Sequence, residues 1–276
     1  MSSEVFFIKD VKEEKLHALL EHAGVGDFTG VVALKMHMGE RNNRTFVKPV
    51  FIKPIVEAVK KHGGRPFITD TTTIYKEKRY TAMDYYETAF AHGFLPSSLG
   101  CPVLIADGLK DDGVPVSEHV EIAKSIYESD SMLVISHATG HCASSFGGAL
   151  KNVAMGCVTK KTKKYQHEVT RPVLNRDLCT DCDKCREVCK HHAISEAHLI
   201  NFDACVGCGA CIAVCESHAR VHRQICHRTY RNDSPKSPVL FSTLYPIQTC
   251  STSISLLILL PSATALNSHP SIYARI

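Results

Sequence analysis

Apolar and polar positions follow two different periods along the first 160 residues. Residues 31–38 and 132–137 are short, nearly unbroken apolar runs, which are typical of strands buried on both faces. Between such runs, segments such as 12–24 carry leucines at helical spacing and end at a glycine. This alternation predicts an α/β fold over residues 1–165, with a parallel or mostly parallel sheet and helices on both faces.

Polar residues stand at the ends of several predicted strands. In open α/β sheets, ligands bind beyond the carboxyl ends of the strands, so these side chains could form a metal site or an acid–base pair. We take His37, His137 and His141 as the candidate catalytic residues. The alternative is that these polar residues have no chemical role and only mark where each strand ends. The residues at these ends are Lys35, His37, Asp70, Asp107, His137, His141 and Cys142.

Three further segments carry weaker signals. Residues 120–129 show helical spacing and predict a helix. Residues 147–152, which begin with two glycines, predict either an anion site at a helix start or simply close packing. The lysine-rich residues 159–167 predict a solvated linker or, less readily, a docking surface for an acidic partner.

Cysteines dominate the second half of the sequence. The chain has 13 cysteines, and eight of them lie in two runs, 179–189 and 205–215. Each run reads C-x2-C-x2-C-x3-C, the ligand pattern of bacterial-type cubane iron–sulfur clusters. The preceding residues also repeat, because Asn175 and Asp177 match Asn201 and Asp203 at an offset of 26. The pattern therefore predicts an internal duplication that binds metal.

The spacing also predicts which thiols share a cluster. In paired runs the fourth cysteine ligates the other cluster, so we expect two [4Fe-4S] clusters with exchanged ligands. Zinc is the alternative, but it is usually held by two C-x2-C pairs that lie well apart, which fits these compact runs poorly. The predicted first cluster has ligands Cys179, Cys182, Cys185 and Cys215, and the second has Cys205, Cys208, Cys211 and Cys189.

Residues 171–222 resemble a two-cluster bacterial ferredoxin. One departure is that Lys190 and Glu216 follow the fourth cysteines, where that family usually has proline. Over a longer span, the motifs VALKMHMGERNN and SHATGHCASSFGGALKNVAMGC, followed by the paired runs, are similar to an uncharacterised iron–sulfur-centre protein family. That resemblance covers roughly residues 4–220 and implies an α/β domain of unknown function with an inserted ferredoxin module. It implies no catalytic residues.

Charge and hydropathy limit the expected location and partners of the protein. The net charge of +4 does not call for a nucleic acid, and the N-terminal residues lack the pattern of a secretory signal. The apolar run LLILL is far shorter than a membrane-spanning helix. We therefore expect a cytoplasmic protein with no membrane or nucleic acid partner. Its expected partners are a soluble redox protein and an unknown small-molecule substrate.

The C-terminal residues, 223–276, differ from the rest in composition. Residues 237–274 contain no Asp, Glu, Lys or Arg. With a frame shift of two bases, residues 253–266 can encode a peptide similar to a segment of the resembled family. The sequence therefore predicts a tail that is out of frame and disordered.

Three functions are compatible with these patterns. The first is electron transfer through two [4Fe-4S] clusters to an unknown redox reaction in the α/β domain, as in a ferredoxin-dependent oxidoreductase. The second is an accessory or assembly factor that handles a metal or a cluster. In the third, the clusters have a structural role only.

Overall fold

The computed structural model describes residues 5–9, 13–22, 24–137, 139–141, 145–169, 171–222 and 255–259. The chain divides into two compact units. The first contains Met1–Thr139, Gly147–Thr162 and Cys250–Ile276, and the second contains Gly140–Phe146 and Lys163–Thr249.

The described residues include twelve strands and nine α-helices. The strands are β1 Val5–Lys9, β2 Gly30–Met36, β3 Gly64–Asp70, β4 Val103–Ile105, β5 Gly113–Pro115, β6 Glu121–Ala123, β7 Ser131–His137, β8 Thr139–His141, β9 Ser145–Gly147, β10 Pro172–Leu174, β11 Arg220–His222 and β12 Ser255–Leu259. The helices are α1 Glu13–His22, α2 Pro49–Lys61, α3 Ala82–Ala91, α4 Pro96–Leu99, α5 Lys124–Tyr127, α6 Ala149–Ala154, α7 Lys160–Val169, α8 Lys184–Glu187 and α9 Ala210–Ala213.

The first unit is built on a six-stranded sheet in the order β1-β12-β7-β2-β3-β4. The pairs β7–β2, β2–β3 and β3–β4 are parallel, whereas β12 is antiparallel to both of its neighbours. The four parallel strands with their helices confirm the predicted α/β fold. Because β2 lies between β3 and β7, the ends of these three strands lie next to one another.

The sheet is covered on both faces. Alternate residues of a strand point to opposite faces. Leu34 of β2 and Leu133 of β7 lie in a buried apolar cluster with Ile52 of α2. Met132, whose side chain points the other way, packs with Val153 of α6 against a second cluster. Fully burying one such aliphatic side chain stabilises a fold by about 1.5–3 kcal/mol, so these two layers fix the strand ends in place.

Local chemistry determines where the helices start. Pro49 occupies the first turn of α2, where a missing N–H costs nothing, so the helix begins there and Pro54 lies inside it. In α3, the Thr81 hydroxyl accepts a hydrogen bond from the Asp84 N–H at 3.1 Å, and the Asp84 carboxylate accepts in return from the Thr81 N–H. This capping box fixes the first turn of the helix.

Two sequence predictions are wrong in detail. Residues 120–129 are not one helix, because Glu121–Ala123 pairs antiparallel with β5 before α5 begins. The lysine-rich tract is not a linker, since Lys160–Val169 forms α7. Thr162 is buried there and its hydroxyl accepts a hydrogen bond from the Glu121 N–H, so this polar tract holds tertiary structure.

The second unit repeats its backbone as well as its sequence. The Leu174–Arg220 pair of the β10–β11 ladder has a counterpart in the Ile194–Ile200 bridge, because Ile200 is the repeat equivalent of Leu174 and Ile194 that of Arg220. Each of α8 and α9 follows a residue in the left-handed conformation. The matched pairs with positive φ are Asp181 and Gly207, Asp183 and Gly209, and His192 and His218. The predicted duplication is therefore present in three dimensions.

One part of the C-terminal tail is described. Residues Ser255–Leu259 form β12, between β1 and β7. The other tail residues lie outside the described ranges. The out-of-frame, disordered tail stays a prediction.

Candidate functional site

The first unit carries a buried ion pair at the carboxyl ends of its parallel strands. Lys35 lies opposite Thr69 in the β2–β3 register, one residue before the end of β3. Its Nζ atom is 2.8 Å from Oδ1 of Asp70, and the two side chains are 0% and 4% exposed. The ammonium also donates to Oδ1 of Asn152 in α6. This ion pair therefore joins two strands and a helix.

Further donors surround the Asp70 carboxylate. The Tyr85 hydroxyl donates to its Oδ2 atom, and Nη1 of Arg79 lies 3.9 Å from the same oxygen. Burial alone would raise the pKa of Asp70, but the Lys35 charge and these hydrogen bonds outweigh it and lower that pKa. Burial and the Asp70 charge raise the pKa of Tyr85 well above its ordinary value. Asp70 is therefore ionised and Tyr85 is a neutral donor at pH 7.

Two histidines lie beside this ion pair. Nδ1 of His37 accepts a hydrogen bond from the Gly39 N–H at 3.0 Å, which places the ring proton on Nε2, 3.9 Å from a Glu40 oxygen. Desolvation, followed by the Arg79 charge, lowers the pKa of His37 to about 3. Its side chain keeps 39% of its surface exposed, so water moderates this shift without reversing it. Desolvation and His37 also lower the pKa of His137. Both rings are neutral at pH 7.

The fold assembles part of the predicted strand-end group. Lys35, Asp70, His37 and His137 interact, as the sheet topology predicts. Asp107 has a different role, because its carboxylate accepts from the Thr72 N–H at 3.0 Å and braces a turn. The side chains of His141 and Cys142 lie outside the described residues.

Sequence patterns missed three members of this group: Tyr85, Arg79 and Asn152. Tyr85 and Asn152 lie on helices whose apolar spacing says nothing about polar partners. Only the glycine pair before α6 drew attention to Asn152, as a candidate anion contact, whereas its amide is occupied by Lys35 and by Ser136 Oγ at 2.8 Å. Gly156 also supports the site, because an added Cβ atom there would lie 2.5 Å from Lys35 Nζ.

The chemistry available at this edge is proton transfer and binding of polar groups. The neutral imidazole of His137 can accept a proton, whereas Tyr85, Arg79 and the Nε2–H of His37 are hydrogen-bond donors. Lys35 is paired and fully buried, which disfavours it as a freely accessible nucleophile. The His37 side chain keeps 39% of its surface exposed, so we place any reactant contact there.

In the second unit, four cysteines line one concavity. Its remaining walls are mainly apolar and include Ile194 and Ile200. The cysteines are Cys189, Cys205, Cys208 and Cys211. The spacing argument assigned these same four thiols to one site, with Cys189 contributed by the other run.

Burial, and then proximity to the other thiols, raises the pKa of two of these cysteines. Burial, together with the neighbouring Cys205 and Cys208, raises the pKa of Cys211 to about 12 against the opposing charge of Arg220. Burial also raises the pKa of Cys205, with Cys208 and Cys189 adding to the shift. Because like charges in one small site oppose ionisation, such thiols become ligands together with a cation that replaces their protons.

The fourth cysteine of each run accepts a backbone hydrogen bond. The Ala193 N–H lies 3.4 Å from Sγ of Cys189, and the Arg220 N–H lies 3.4 Å from Sγ of Cys215. These bonds, with the Ser217 hydroxyl, offset burial and lower the pKa of Cys215. Cys189 and Cys215 thus each accept a backbone N–H from the turn that follows them.

A second donor group lies at the start of the first run. The ligand atoms of Cys179, Asp181 and His198 lie within 4.8 Å of one another, which allows a metal ion to be held. His198 is buried, with Nδ1 at 3.1 Å from Asp181 and Nε2 at 3.1 Å from Asp183. Asp181 also pairs with Arg176 and Asp183 with Arg186, so these carboxylates have counterions and the group does not require a metal.

Comparison with known protein families gives a match, which covers parts of both units. A family described as Domain of unknown function (DUF362) matches residues 32–228, which contain both the strand-end group and the two cysteine runs. The chain belongs to this family. No curated protein and no solved structure matches the chain. Within the described ranges, no helix has both the length and the apolar character needed to cross a membrane.

Proposed function

We propose that this DUF362 protein binds two [4Fe-4S] clusters through its eight paired-run cysteines and carries electrons to a redox reaction in its α/β unit. The observation that carries the proposal is the concavity lined by Cys189, Cys205, Cys208 and Cys211. Three of its thiols come from one run and the fourth comes from the other. This exchange is the arrangement found in two-cluster ferredoxins.

The donor set fits a cubane better than zinc. Cubane iron is held by four thiolates, and each run supplies three within seven residues and a fourth for its neighbour. Structural zinc sites usually draw on separated pairs instead. The apolar walls of the concavity and the N–H groups that face Cys189 and Cys215 also suit sulfur ligands. The chain therefore has the donors and the surroundings that such clusters require.

Bound clusters supply one-electron transfer, and the residues of the α/β unit supply the proton chemistry. His37 is neutral and offers its Nε2–H as a hydrogen-bond donor, whereas the neutral ring of His137 can accept a proton. The Lys35–Asp70 pair and Tyr85 hold the surrounding polar groups in place. We propose that an oxidisable or reducible small molecule contacts His37, with His141 as a further candidate. A soluble redox protein would be the electron donor.

A second candidate function is metal handling by an accessory factor. The Cys179, Asp181 and His198 group favours it, because a mixed thiolate, carboxylate and imidazole site suits a single divalent ion. Cys179 cannot serve this ion and the first cluster at the same time. Transfer of metal to an apo-protein would support this function, whereas stable reversible redox cycling would support the first.

The test is metal and sulfide content after anaerobic reconstitution. We expect about eight iron and about eight sulfide ions per chain for two cubanes. Cys208→Ser should lower both values to about half, because it removes a ligand from one cluster. Cys157→Ser is the matched control, since Cys157 is a buried cysteine of the first unit. Zinc at about one or two ions per chain without sulfide would contradict the proposal.

A further inference from the structure

Arg220 is a buried cation without a carboxylate partner. It is 2% exposed, and no described carboxylate lies within 4.0 Å of it. One Nη2–H donates to the carbonyl oxygen of His198. Its Nε and Nη1 atoms are buried, and no described group accepts from them. A buried, uncompensated guanidinium is costly, so its surroundings must provide an anion.

Two sulfur atoms of the predicted first cluster contact Arg220, one through its guanidinium and one through its backbone N–H. Nη2 of Arg220 lies 3.8 Å from Sγ of Cys185, and its backbone N–H lies 3.4 Å from Sγ of Cys215. Both cysteines belong to the ligand set of one cluster. The charge of Arg220 also acts on Cys211, a ligand of the predicted second cluster, but no direct contact between them is described. The cation is therefore close to one site and more remote from the other.

The internal repeat provides a built-in comparison. The position equivalent to Arg220 in the first repeat is Ile194. Both lie at the same place in the backbone, because Arg220 pairs with Leu174 as Ile194 pairs with Ile200. Ile194 lines the concavity of the second predicted cluster. The duplication therefore places a cation against one cluster site and an apolar side chain against the other.

We infer that Arg220 makes the two cluster sites electrically unequal, so that the cluster held by Cys179, Cys182, Cys185 and Cys215 has the more positive reduction potential. This inference rests on the proposed function. A cubane with four thiolate ligands is an anion that gains one more negative charge on reduction. A buried positive charge stabilises that added charge, and hydrogen bonds to sulfur act in the same direction. Arg220 is thus a positioning and tuning residue that sets which cluster is reduced first.

The test is a redox titration of the reconstituted full chain, followed by electron paramagnetic resonance. Dithionite is the one-electron reductant, and the oxidised clusters are the acceptors. We expect two separate midpoint potentials in the wild type. Comparison with Cys189→Ser and Cys215→Ser assigns each potential to a cluster. Two loaded clusters with the same potential would overturn the inference and leave the proposed function intact.

Arg220→Gln tests the cause of the difference. At a fixed potential we expect the ratio of reduced to oxidised first cluster to fall about tenfold, which is about 59 mV for a one-electron couple. The second cluster should shift by less. Arg220→Lys retains the charge and should restore most of the difference. Arg176→Gln is the control, because Arg176 is 59% exposed and paired with Asp181 beside the same cluster.

Iron and sulfide content shows whether a negative result contradicts the proposed function or only the inference about Arg220. A wild type without iron and sulfide would remove both the proposed function and the inference. If Arg220→Gln loses its clusters, the wild-type potentials and Arg220→Lys still decide the question. Equal shifts in Arg220→Gln and Arg176→Gln would show that burial of Arg220 has no special effect, which would also overturn the inference.

Discussion

Replacing Lys35 by methionine should leave the Asp70 carboxylate buried without its main counterion. The two side chains are 0% and 4% exposed, and their charged atoms are 2.8 Å apart. Methionine has similar length and no charge, so the change removes the ion pair without opening a large cavity. Arg79 at 3.9 Å and the Tyr85 hydroxyl would be the remaining partners of Asp70.

The expected magnitude follows from the depth of burial. Coulomb's law gives about 6 kcal/mol of attraction at 2.8 Å with an effective dielectric constant of about 20. Desolvation of the two ions costs several kcal/mol each, so the net contribution of the intact pair is small. Breaking the pair is different, because one buried charge remains. We expect Lys35→Met and Asp70→Asn each to lower the free energy of unfolding by about 3–5 kcal/mol.

The double variant shows whether these losses have one origin. Lys35→Met combined with Asp70→Asn leaves neither charge, so its loss should be much smaller than the two single losses added together. Urea unfolding followed by far-ultraviolet circular dichroism measures each variant. Hydrogen–deuterium exchange of peptides from β2 and β3 assigns the transition to the first unit, because a two-unit chain need not unfold in one step.

Lys53→Met is the matched control. Lys53 and Glu57 form an exposed pair at 4.0 Å, and exposed pairs contribute little to stability. We expect its unfolding curve to match the wild type. Additive losses in the double variant, or equal losses in Lys35→Met and Lys53→Met, would refute the reasoning about the buried pair.

Two further predictions concern pH and the gene. The pKa of His37 is lower in the folded state than the ordinary value of about 6.5, so the unfolded chain binds more protons below that pH. Stability should therefore fall as pH drops from about 6.5 towards 3, and His37→Asn should flatten this dependence in urea titrations; an unchanged slope would show that the folded pKa is not lowered. For the tail, we expect genomic DNA to carry a gained or lost base after the codon for residue 228, where the family match ends; an unbroken frame would contradict this prediction.

The sheet was predictable because its signal is local. Residues 31–38 and 132–137 are apolar over a strand length, and the structure has β2 at Gly30–Met36 and β7 at Ser131–His137. Buried parallel strands need apolar residues on both faces, so each such strand appears in the sequence as a continuous apolar run. The order of the strands then brings Lys35 and Asp70 together.

The polar partners were not predictable because they come from distant positions. Asn152 binds Lys35 across 117 residues, and nothing in its own helix indicates that contact. The polarity of Lys160–Val169 also concealed a packed helix. In the second unit the repeat gave the cysteine grouping, whereas the buried position of Arg220 became visible only from the fold. Its equivalent, Ile194, gave no reason to expect a cation.

The most direct test of the central claim is the number of electrons that the clusters held by the two cysteine runs accept. The anaerobically reconstituted chain should be reduced with excess dithionite and its unpaired spins counted by electron paramagnetic resonance. Two cubanes predict about two spins per chain, with broadening from their interaction. A count of one spin in Cys208→Ser and two in Cys157→Ser would support the assigned ligands. A wild type that carries its full iron and sulfide but shows no unpaired spin after reduction would contradict the account, as would zinc in place of iron.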